Sequence, residues 1–355
     1  MRAAVFDSPV AMHVADVPDL QPRPGEVLCR VEAAGICGSD LHGYRAGGHI
    51  APTKGFGYPR TAPGHELAGT VIALGGGVTS LALGDRVGIE PLCGCDACEW
   101  CAIGEYHLCP QLEHIGGARS GGFAEITRAP AKKCFKLPDH VSFEEASTLD
   151  CLAVAVHALH RVPVHPQDTV AVFGTGAIGL FTAAAARAVG ARQVIVVGGH
   201  RETPLKVARD MGAHVTVNAS QEDPVEAILR QTDGRGADVV FETVGGRADT
   251  LAKSLASARR GGVVGIEGSF QDPQPVDMGL QMRREISILW CWSYAMWGSV
   301  PEYKIALDML ADGRVKAAPM ITHRFPLAQV EDAFAAAGHK ELSDAIKVCI
   351  MPSWS

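Results

Sequence analysis

Four cysteines lie within one short segment, at Cys95, Cys98, Cys101 and Cys109. Two, two and seven residues separate the successive thiols, so a single loop can close all four around one tetrahedral Zn²⁺. Four sulfur ligands leave no open coordination position, and the pattern therefore predicts a structural zinc site rather than a catalytic one. Cys93 is an alternative ligand, although its single-residue separation from Cys95 suits the loop less well.

A second set of metal-binding residue types is dispersed along the chain, at Cys37, His65, Glu66 and Asp150. A thiolate, an imidazole and carboxylates suit Zn²⁺ that keeps one position for water or a substrate oxygen. Each residue also has an ordinary interpretation, because a lone cysteine is usually a small core residue and a histidine beside a glutamate usually lies at the surface. Spacing alone does not bring these residues together, so both interpretations stay open at this point.

A glycine-rich turn joins an apolar run at 170–173 to a helical pattern, and it reads Gly174-Thr175-Gly176-Ala177-Ile178-Gly179. In such a turn the first glycine permits the tight bend, the second lets a pyrophosphate approach the backbone, and the third allows close helix packing. Backbone N–H groups at the helix N-terminus then hold the phosphates. The turn predicts dinucleotide binding, and Val244 and Ile266, at the ends of later strands, complete the predicted cofactor-binding set.

The end of the next strand should select between NAD and NADP. NAD-binding proteins place an acid there that bonds the ribose 2′-hydroxyl, whereas this chain has Gly199, His200 and Arg201. A guanidinium suits a 2′-phosphate, so the sequence favours NADP. NAD binding stays open, because Arg201 could be a solvated loop residue and Glu202 could supply the acid if the loop is longer.

The 355 residues suggest two domains, at roughly 150 residues per domain. Residues 1–153 show short apolar runs broken by Gly and Pro, with strands predicted at 26–32 and 67–73 and chemistry expected on loops. No long helical period precedes Ser142, which forms a capping box with Glu145 and predicts a helix start. Residues 154–288 alternate strands and helices and predict an open parallel sheet covered on both faces. Residues 289–355 are expected to return to the first domain, with a closing strand at 344–351.

The elements predicted in and next to the middle region are helices at 151–161, 178–189, 204–211, 224–231 and 248–258, and strands at 169–173, 193–197, 215–217, 238–242 and 262–266. The apolar stretch 169–191 is explained by one of these strands turning into a buried helix, because glycines and Arg187 interrupt it as a membrane span.

Composition excludes several classes of partner. The net charge is −7 with scattered basic residues, which gives no field suited to nucleic acid. Eleven cysteines, an odd number, argue against a disulfide framework, and the N-terminus reaches Asp7 too soon for a secretory signal. We expect a cytoplasmic protein with no membrane or nucleic-acid partner.

Taken together, these residues resemble the zinc-containing medium-chain dehydrogenase/reductase family, in the branch of sorbitol, threonine and butanediol dehydrogenases. The resemblance covers essentially the whole chain. It rests on residues 1–5, Cys-Gly-Ser-Asp-x-His at 37–42, Gly-His-Glu at 64–66, Leu-Gly-Asp-Arg-Val at 83–87, the four-cysteine loop, Gly-Gly-Phe-Ala-Glu at 121–125 and the glycine turn. It implies an α/β fold in which a Rossmann-type doubly wound parallel sheet domain is inserted in a β-rich, GroES-like catalytic domain that holds both zinc sites.

The resemblance also implies a catalytic zinc site. Cys37 and His65 would be zinc ligands, and Glu66 stands where the family has a ligand that exchanges with water. Asp150 falls where polyol dehydrogenases place a carboxylate. Asp40 matches a carboxylate that orients His65.

Ser39 and His42 match a proton relay that carries the substrate proton toward solvent. The implied reaction is hydride transfer between a secondary or primary alcohol and NAD or NADP, giving a ketone or aldehyde, with two zinc ions per chain and a homodimer or homotetramer. Two alternatives are a zinc-independent quinone or enoyl reductase on the same fold and a non-catalytic NADP-binding structural protein.

The substrate pocket departs from the family pattern. Polyol dehydrogenases carry an arginine–tyrosine pair where this chain has Cys291 and Trp292. With Trp290, Tyr294 and Trp297 nearby in sequence, we expect a more aromatic pocket and a substrate less polar than sorbitol. The same aromatic residues could instead serve the core or a subunit contact.

Overall fold

The computed structural model describes residues 1–45 and 61–353, which fall into two compact units. The first unit comprises the described residues of Met1–Asp150, Ala295–Ala311 and Ile321–Ser355, and the second comprises Cys151–Tyr294 and Asp312–Met320. The predicted insertion of an α/β domain into a β-rich domain is confirmed. Its borders lie at 150/151 and 294/295 instead of 153/154 and 288/289, and a further short segment joins the second unit.

The first part of the first unit is built mainly from strands. Its elements are β1 (Arg2–Ser8), β2 (Ala11–Asp16), β3 (Glu26–Gly35), α1 (Gly38–Arg45), β4 (Glu66–Leu74), β5 (Arg86–Ile89), β6 (Leu92–Cys93), α2 (Glu99–Ala102), β7 (Glu113–His114), β8 (Ile126–Pro130), β9 (Cys134–Lys136) and α3 (Phe143–Ala146). The two strands predicted here are present as β3 and β4 with longer ends. The capping box is also present, because the Glu145 N–H donates to Ser142 Oγ and the Ser142 N–H donates to Glu145 Oε2.

Helix α1 is a short helix in the region before Ser142, where the sequence shows no long helical period. It carries Ser39, Asp40 and His42, which therefore lie on a helix and not on a loop. The helix is only eight residues long and contains two glycines, so its hydrophobic periodicity is weak. A local hydrogen bond begins it instead, since the backbone N–H of Cys37 donates to Asp40 Oδ2 at 2.8 Å.

The second unit follows the predicted alternation. Its elements are α4 (Leu149–Arg161), whose first two residues belong to the first unit, β10 (Thr169–Phe173), α5 (Ala177–Ala188), β11 (Gln193–Gly198), α6 (Glu202–Asp210), β12 (Val215–Asn218), α7 (Pro224–Gln231), β13 (Ala237–Glu242), α8 (Thr250–Ser257), β14 (Ala258–Ile266), α9 (Met278–Arg284) and β15 (Ser287–Trp290). Every predicted strand and helix of this region is present, with ends that differ by a few residues.

The strands of this unit form one parallel sheet, in the order β12-β11-β10-β13-β14-β15 among the described residues. Strands β10 and β13 are buried along their whole length, as expected when helices cover both faces of a parallel sheet. The reversal of strand order falls between β10 and β13, where open α/β sheets bind ligands beyond the carboxyl ends of their strands.

The returning segment completes the first unit. Its elements are β16 (Met296–Trp297), β17 (Val300–Pro301), α10 (Glu302–Ala311), β18 (Ile321–Pro326), α11 (Val330–Gly338), α12 (Lys340–Ser343) and β19 (Lys347–Met351). The described residues form a sheet in the order β18-β19-β3-β4-β5-β9, with β8 also paired to β3. The predicted closing strand is thus present as β19, shorter than expected, and it lies beside β3.

The apolar stretch at 169–191 consists of strand β10, the glycine turn and helix α5, as predicted. Among the described residues, no helix combines the length and the apolar character needed to cross a lipid bilayer.

Candidate metal and dinucleotide sites

The predicted catalytic ligands converge in the first unit. Ligand atoms of Cys37, His65 and Glu66 all lie within 4.8 Å of one another. The pairing of β3 with β4 explains this proximity, because Gly35 is the register partner of Glu66 and Cys37 follows two residues later. Asp150 at the start of α4 joins them, with its carboxylate 3.9 Å from His65 Nε2 and within 4.8 Å of the Glu66 carboxylate.

Asp40 orients the His65 imidazole. Its Oδ1 lies 3.5 Å from His65 Nδ1, and both side chains are buried. Because Nδ1 faces Asp40, Nε2 is the ring nitrogen directed at the other candidate ligands. Burial lowers the pKa of His65, but the charges of Asp40 and Cys37 outweigh it and hold this pKa well above its usual value.

These charges favour a cation beside His65 Nε2. Neither His65 Nδ1 nor Asp40 Oδ1 has a hydrogen bond within the described residues, although both atoms are buried. A metal ion on Nε2 would polarise the imidazole and strengthen the Nδ1–H···Oδ1 contact. Thiolate, imidazole and carboxylate donors in one buried group fit Zn²⁺.

Lys347 is a residue of this site that the sequence analysis missed. Its Nζ donates to Glu66 Oε2 at 2.5 Å and to the Ile36 backbone oxygen at 3.3 Å. Both Lys347 and Glu66 are almost fully buried, so the ammonium neutralises a carboxylate that would otherwise be costly to desolvate. Lys347 is the single charged residue in the otherwise apolar run 345–350, and this isolated charge is the sequence feature that indicates a buried partner.

The two relay candidates share helix α1. Ser39 is half-buried and His42 is exposed, and the three-residue spacing puts both side chains on one face of the helix. Of the two predicted relay residues, His42 is therefore the one more accessible to solvent.

The four cysteines of the predicted structural site form a second group, in which the Sγ atoms of Cys95, Cys98, Cys101 and Cys109 lie within 4.8 Å of one another. Cys93 is not a member of this group. Its thiol is buried, donates to the Pro91 backbone oxygen at 3.8 Å, and has a pKa that burial raises to about 11. The geometry therefore favours the four-cysteine set without Cys93.

The thiols of this loop differ in acidity, because backbone hydrogen bonds lower the pKa of one cysteine and burial raises the pKa of others. Backbone hydrogen bonds, the strongest from Ala97, lower the pKa of Cys95 to about 6. The backbone N–H groups of Cys95 and Gln111 both donate to Cys109 Sγ at 3.4 Å. Burial raises the pKa of Cys101 to about 12, so this thiol requires a cation to ionise near neutral pH. A dipositive ion supplies that charge, and four thiolates fit Zn²⁺.

The glycine turn of the second unit has the geometry of a phosphate-binding turn. Gly174 has a φ of +124°, which a side chain rarely tolerates. A Cβ on Gly179 would overlap the Gly174 backbone oxygen, so helix α5 packs directly on the turn. Gly176, by contrast, has open space beside it, and α5 begins at the next residue. Its first N–H groups lack partners within the helix and can bind a pyrophosphate.

The end of β11 carries the residues from which the sequence predicts NADP, and that preference stays a prediction. Gly199 has open space where a side chain would lie, and the exposed His200 and the half-buried Arg201 follow it, with Arg201 just before helix α6. Glu202 lies inside α6, where its carboxylate accepts from Arg209 at 2.6 Å. The acid that could have bonded a ribose is therefore engaged by a neighbouring arginine.

Val244 and Ile266 lie at the carboxyl ends of two adjacent parallel strands, β13 and β14. Val244 follows the end of β13, and its N–H donates to the buried Glu242 at 2.9 Å. Ile266 ends β14 and lines a cavity of about 520 Å³ together with Cys291. The predicted cofactor residues of the second unit thus lie at the carboxyl ends of its strands.

The aromatic residues expected in the substrate pocket have different surroundings in the structure. Trp290 and Trp292 line the cavity beside Cys291. Tyr294 is instead a core side chain, with 1% of its surface exposed. Trp297 lies on β16 of the first unit.

Two family models match the chain. The alcohol dehydrogenase GroES-like domain matches residues 23–139, and the zinc-binding dehydrogenase model matches residues 177–312. The chain is 34% identical to sorbitol dehydrogenase of Bacillus subtilis (strain 168), over 99% of this chain and 98% of that protein. It is 35% identical to L-idonate 5-dehydrogenase of Vitis vinifera, over 92% of this chain and 87% of that protein.

A solved structure shows the same fold. A protein of Sinorhizobium meliloti 1021, described as a zinc-binding dehydrogenase and bound to NADP, has a TM-score of 0.86 at 30% identity, covering 99% of each chain.

The chain therefore belongs to the zinc-binding alcohol dehydrogenase family, the zinc-containing medium-chain dehydrogenase/reductases that its sequence resembles. It is a zinc-dependent, NAD(P)-dependent oxidoreductase that acts on CH–OH groups. These relatives favour neither a zinc-independent reductase nor a non-catalytic structural protein.

Proposed function

We propose that the chain interconverts a secondary alcohol and its ketone with NADP, at a zinc site formed by Cys37, His65, Glu66 and Asp150. The observation that carries this proposal is that Cys37, His65 and Glu66 bring their ligand atoms within 4.8 Å of one another, although Cys37 is distant from the other two in sequence, and that Asp150 lies 3.9 Å from His65 Nε2. Zn²⁺ held there acts as a Lewis acid on the substrate oxygen, and the nicotinamide ring supplies the hydride chemistry.

The residues around this point orient ligands and move the substrate proton. Asp40 holds the His65 ring so that Nε2 faces the ligand group. Lys347 holds Glu66 through Oε2 and so limits the directions in which this carboxylate can reach. The Ser39 hydroxyl would accept the substrate proton as it gives up its own proton toward His42, and the imidazole of His42, at the exposed end of the same helix face, would release a proton to water.

The four-cysteine loop binds a second zinc with a structural role. The proximity of its sulfurs and the backbone N–H groups that donate to them support this assignment. Four thiolates fill a tetrahedral shell and leave no position for a substrate. The proposal therefore gives two zinc ions per chain, of which only one takes part in catalysis.

NADP is the proposed cofactor. The support is local to the end of β11, where Gly199 leaves space, Arg201 precedes a helix N-terminus and Arg209 engages Glu202. Both the guanidinium and the helix terminus favour a phosphate dianion over a hydroxyl.

The proposed substrate is less polar than sorbitol. Two relatives of this chain are named for sorbitol and L-idonate, which bear several hydroxyl groups. The apolar side chains of Cys291 and Trp292, at the positions of the family's arginine–tyrosine pair, favour a secondary alcohol with an apolar substituent.

We also propose a homodimer or homotetramer. Within the part of the chain that the structure describes, β15 pairs with β14 on one side and with no strand on the other. Strand β15 carries no charge or proline to protect this edge, and Trp290 is 65% exposed. Light scattering after size-exclusion chromatography measures the subunit number. The cytoplasmic location stays a prediction.

One experiment tests the catalytic proposal as a whole. The purified protein is assayed against secondary alcohols, polyols, amino alcohols and the corresponding ketones, with NAD and NADP, while zinc is measured in the same sample. We expect two zinc ions per chain and turnover of secondary alcohols with NADP. Cys37→Ser should abolish turnover and remove one zinc, while Cys93→Ser, which changes a thiol outside both groups, should change neither. Unchanged turnover in Cys37→Ser would contradict the proposed site.

A further inference from the structure

A second histidine packs against the proposed zinc ligand. The rings of His114 and His65 have centroids 4.8 Å apart and planes inclined by 56°. Both side chains are buried, at 9% and 5% exposure. Asp40 lies next to the Nδ1 atom of His65 and Asp150 lies next to its Nε2 atom. The His114 ring instead packs against the imidazole ring of His65. His114 therefore limits the tilt of the ring, which the two carboxylates alone do not fix.

The segment that follows His114 also encloses the backbone of His65. A Cβ on Gly116 would overlap the Gly64 backbone oxygen and lie 2.8 Å from the His65 nitrogen. The N–H of Gly122 donates to the same Gly64 oxygen at 2.8 Å. Gly64 itself has a φ of +97°, and a Cβ there would lie 2.8 Å from the Phe123 ring. One segment thus holds both the backbone and the ring of the ligand.

His114 is in turn held by the base of the four-cysteine loop. It lies on β7, where it pairs with Leu92 of β6. Strand β6 precedes the four-cysteine loop and β7 follows it, so the pairing of these two strands brings the ends of the loop together. Ile115 continues the same ribbon, since its N–H donates to the Pro91 backbone oxygen at 2.9 Å. The position of the His114 ring therefore depends on closure of the loop that carries the other zinc.

We propose that His114 is a positioning residue for the catalytic metal, holding the His65 imidazole in the tilt that coordination requires and linking the four-cysteine loop to the catalytic ligands. This inference rests on the proposed zinc site at Cys37 and His65. It assigns no contact with substrate or cofactor to His114. Its consequence is that the affinity of the catalytic site for zinc depends on a residue that is not a ligand.

Zinc affinity, and not turnover, is the primary measurement. Competition with a chromophoric chelator gives a dissociation constant for each site, and the constant that disappears in Cys37→Ser belongs to the catalytic site. His114→Ala should weaken that constant about 10–100-fold and leave the constant of the four-cysteine loop and the affinity for NADP unchanged. His114→Phe keeps a flat ring and should restore most of the catalytic-site affinity.

A matched control removes another imidazole from the same unit. His323 stacks on Phe325 with centroids 6.4 Å apart, and His323→Ala should leave both zinc constants unchanged. If His114→Ala does not fold, His114→Leu replaces it, because leucine fills the volume without a flat ring and should still weaken the catalytic site.

The outcomes separate this inference from the proposed function. Wild-type protein with no second zinc constant would contradict the catalytic site itself. A wild-type protein that binds both zinc ions, with a folded His114→Ala or His114→Leu variant of unchanged catalytic-site affinity, would overturn the role of His114 alone. An equal loss of affinity in His114→Phe would also overturn it, because ring packing would not be the cause.

Discussion

Lys347 Nζ lies 2.5 Å from Glu66 Oε2, in a contact from which solvent is excluded on both sides. This pair joins β19, near the end of the chain, to the first residue of β4. The proposed catalytic site is therefore assembled by sheet pairing, with a buried cation opposite one of its carboxylates.

Lys347→Met should destabilise the protein and impair the catalytic site. Glu66 would keep a buried charge without its ammonium partner, which costs about 3–5 kcal/mol. Chemical denaturation and zinc content are the measurements. Lys347→Arg retains the charge and should lose much less stability, while a Lys347→Met variant as stable as wild type would contradict the importance of the pair.

Cys98→Ser should lower the zinc content by about one ion per chain. Replacing one of the four thiolates leaves a tetrahedral site with three strong ligands, and the remaining sulfurs hold the metal poorly. Metal analysis of the purified protein gives the result, with Cys93→Ser as the variant expected to retain all zinc. Equal zinc content in Cys98→Ser and wild type would show that the loop is not a metal site.

Arg201→Ala should weaken NADP binding about 10–100-fold and leave NAD binding nearly unchanged. A guanidinium–phosphate contact contributes about 1.5–3 kcal/mol to binding. NAD has no 2′-phosphate, so its binding does not include this contact. Dissociation constants for both cofactors measure the effect. Lys206→Ala removes an exposed cation of the helix that follows Arg201, paired with Asp210, and should change neither constant. Equal weakening of both cofactors in Arg201→Ala would argue against 2′-phosphate recognition.

Asp238→Asn should destabilise the second unit by about 3 kcal/mol at pH 7. The buried Asp238 carboxylate accepts hydrogen bonds from Arg235, Arg259 and the Thr169 N–H, at 2.7 to 2.9 Å. Burial alone would raise its pKa, but these donors hold the pKa of Asp238 well below its usual value.

The sign of the pH dependence follows from that lowered pKa. The ionised Asp238 makes its full contribution to the free energy of unfolding above pH 4, roughly the pKa of an aspartate in the unfolded chain. This contribution is lost progressively as the pH falls below that pKa. The difference in unfolding midpoint between Asp238→Asn and wild type should therefore shrink from pH 7 to pH 3. Asp210→Asn, at an exposed ion pair, should cost less than about 1 kcal/mol at either pH. If the difference in unfolding midpoint between Asp238→Asn and wild type stays constant from pH 7 to pH 3, the ionised Asp238 carboxylate is not the source of the stability.

Local patterns predicted the second unit well because its structure depends on local signals. The strand–turn–helix around Gly174 is defined by a few consecutive residues, as is the capping box at Ser142 in the first unit. Parallel strands buried on both faces are continuous apolar runs, which are visible without knowledge of the sheet order.

The catalytic site was predictable in composition but not in geometry. Cys37, His65 and Asp150 have no local pattern that brings them together, and only the resemblance to a family grouped them. Their convergence depends on the register of β3 with β4, in which Gly35 lies opposite Glu66. Hydrophobic patterning does not specify such a register between distant segments.

Helix α1, Lys347 and His114 were not predicted from the sequence, for related reasons. Helix α1 is stabilised by the Asp40 carboxylate on the Cys37 N–H and not by an apolar stripe. Lys347 was visible as an isolated charge in an apolar strand, but its partner depends on β19 lying beside β3. His114 carries no sequence signal, since its role depends on a ring 49 positions earlier, at His65.

The open space beside Gly199 offers a route for redesigning the cofactor preference. The Gly199 backbone is not in the left-handed region, and a Cβ added there would meet no atom within 4 Å, so the fold accepts a larger residue without repacking. Gly199→Asp would introduce an acid of the kind that NAD-binding proteins place at this strand end, where it could pair with Arg201. We therefore expect that adding atoms at this one strand terminus moves the proposed NADP preference toward NAD, with no change to the metal ligands.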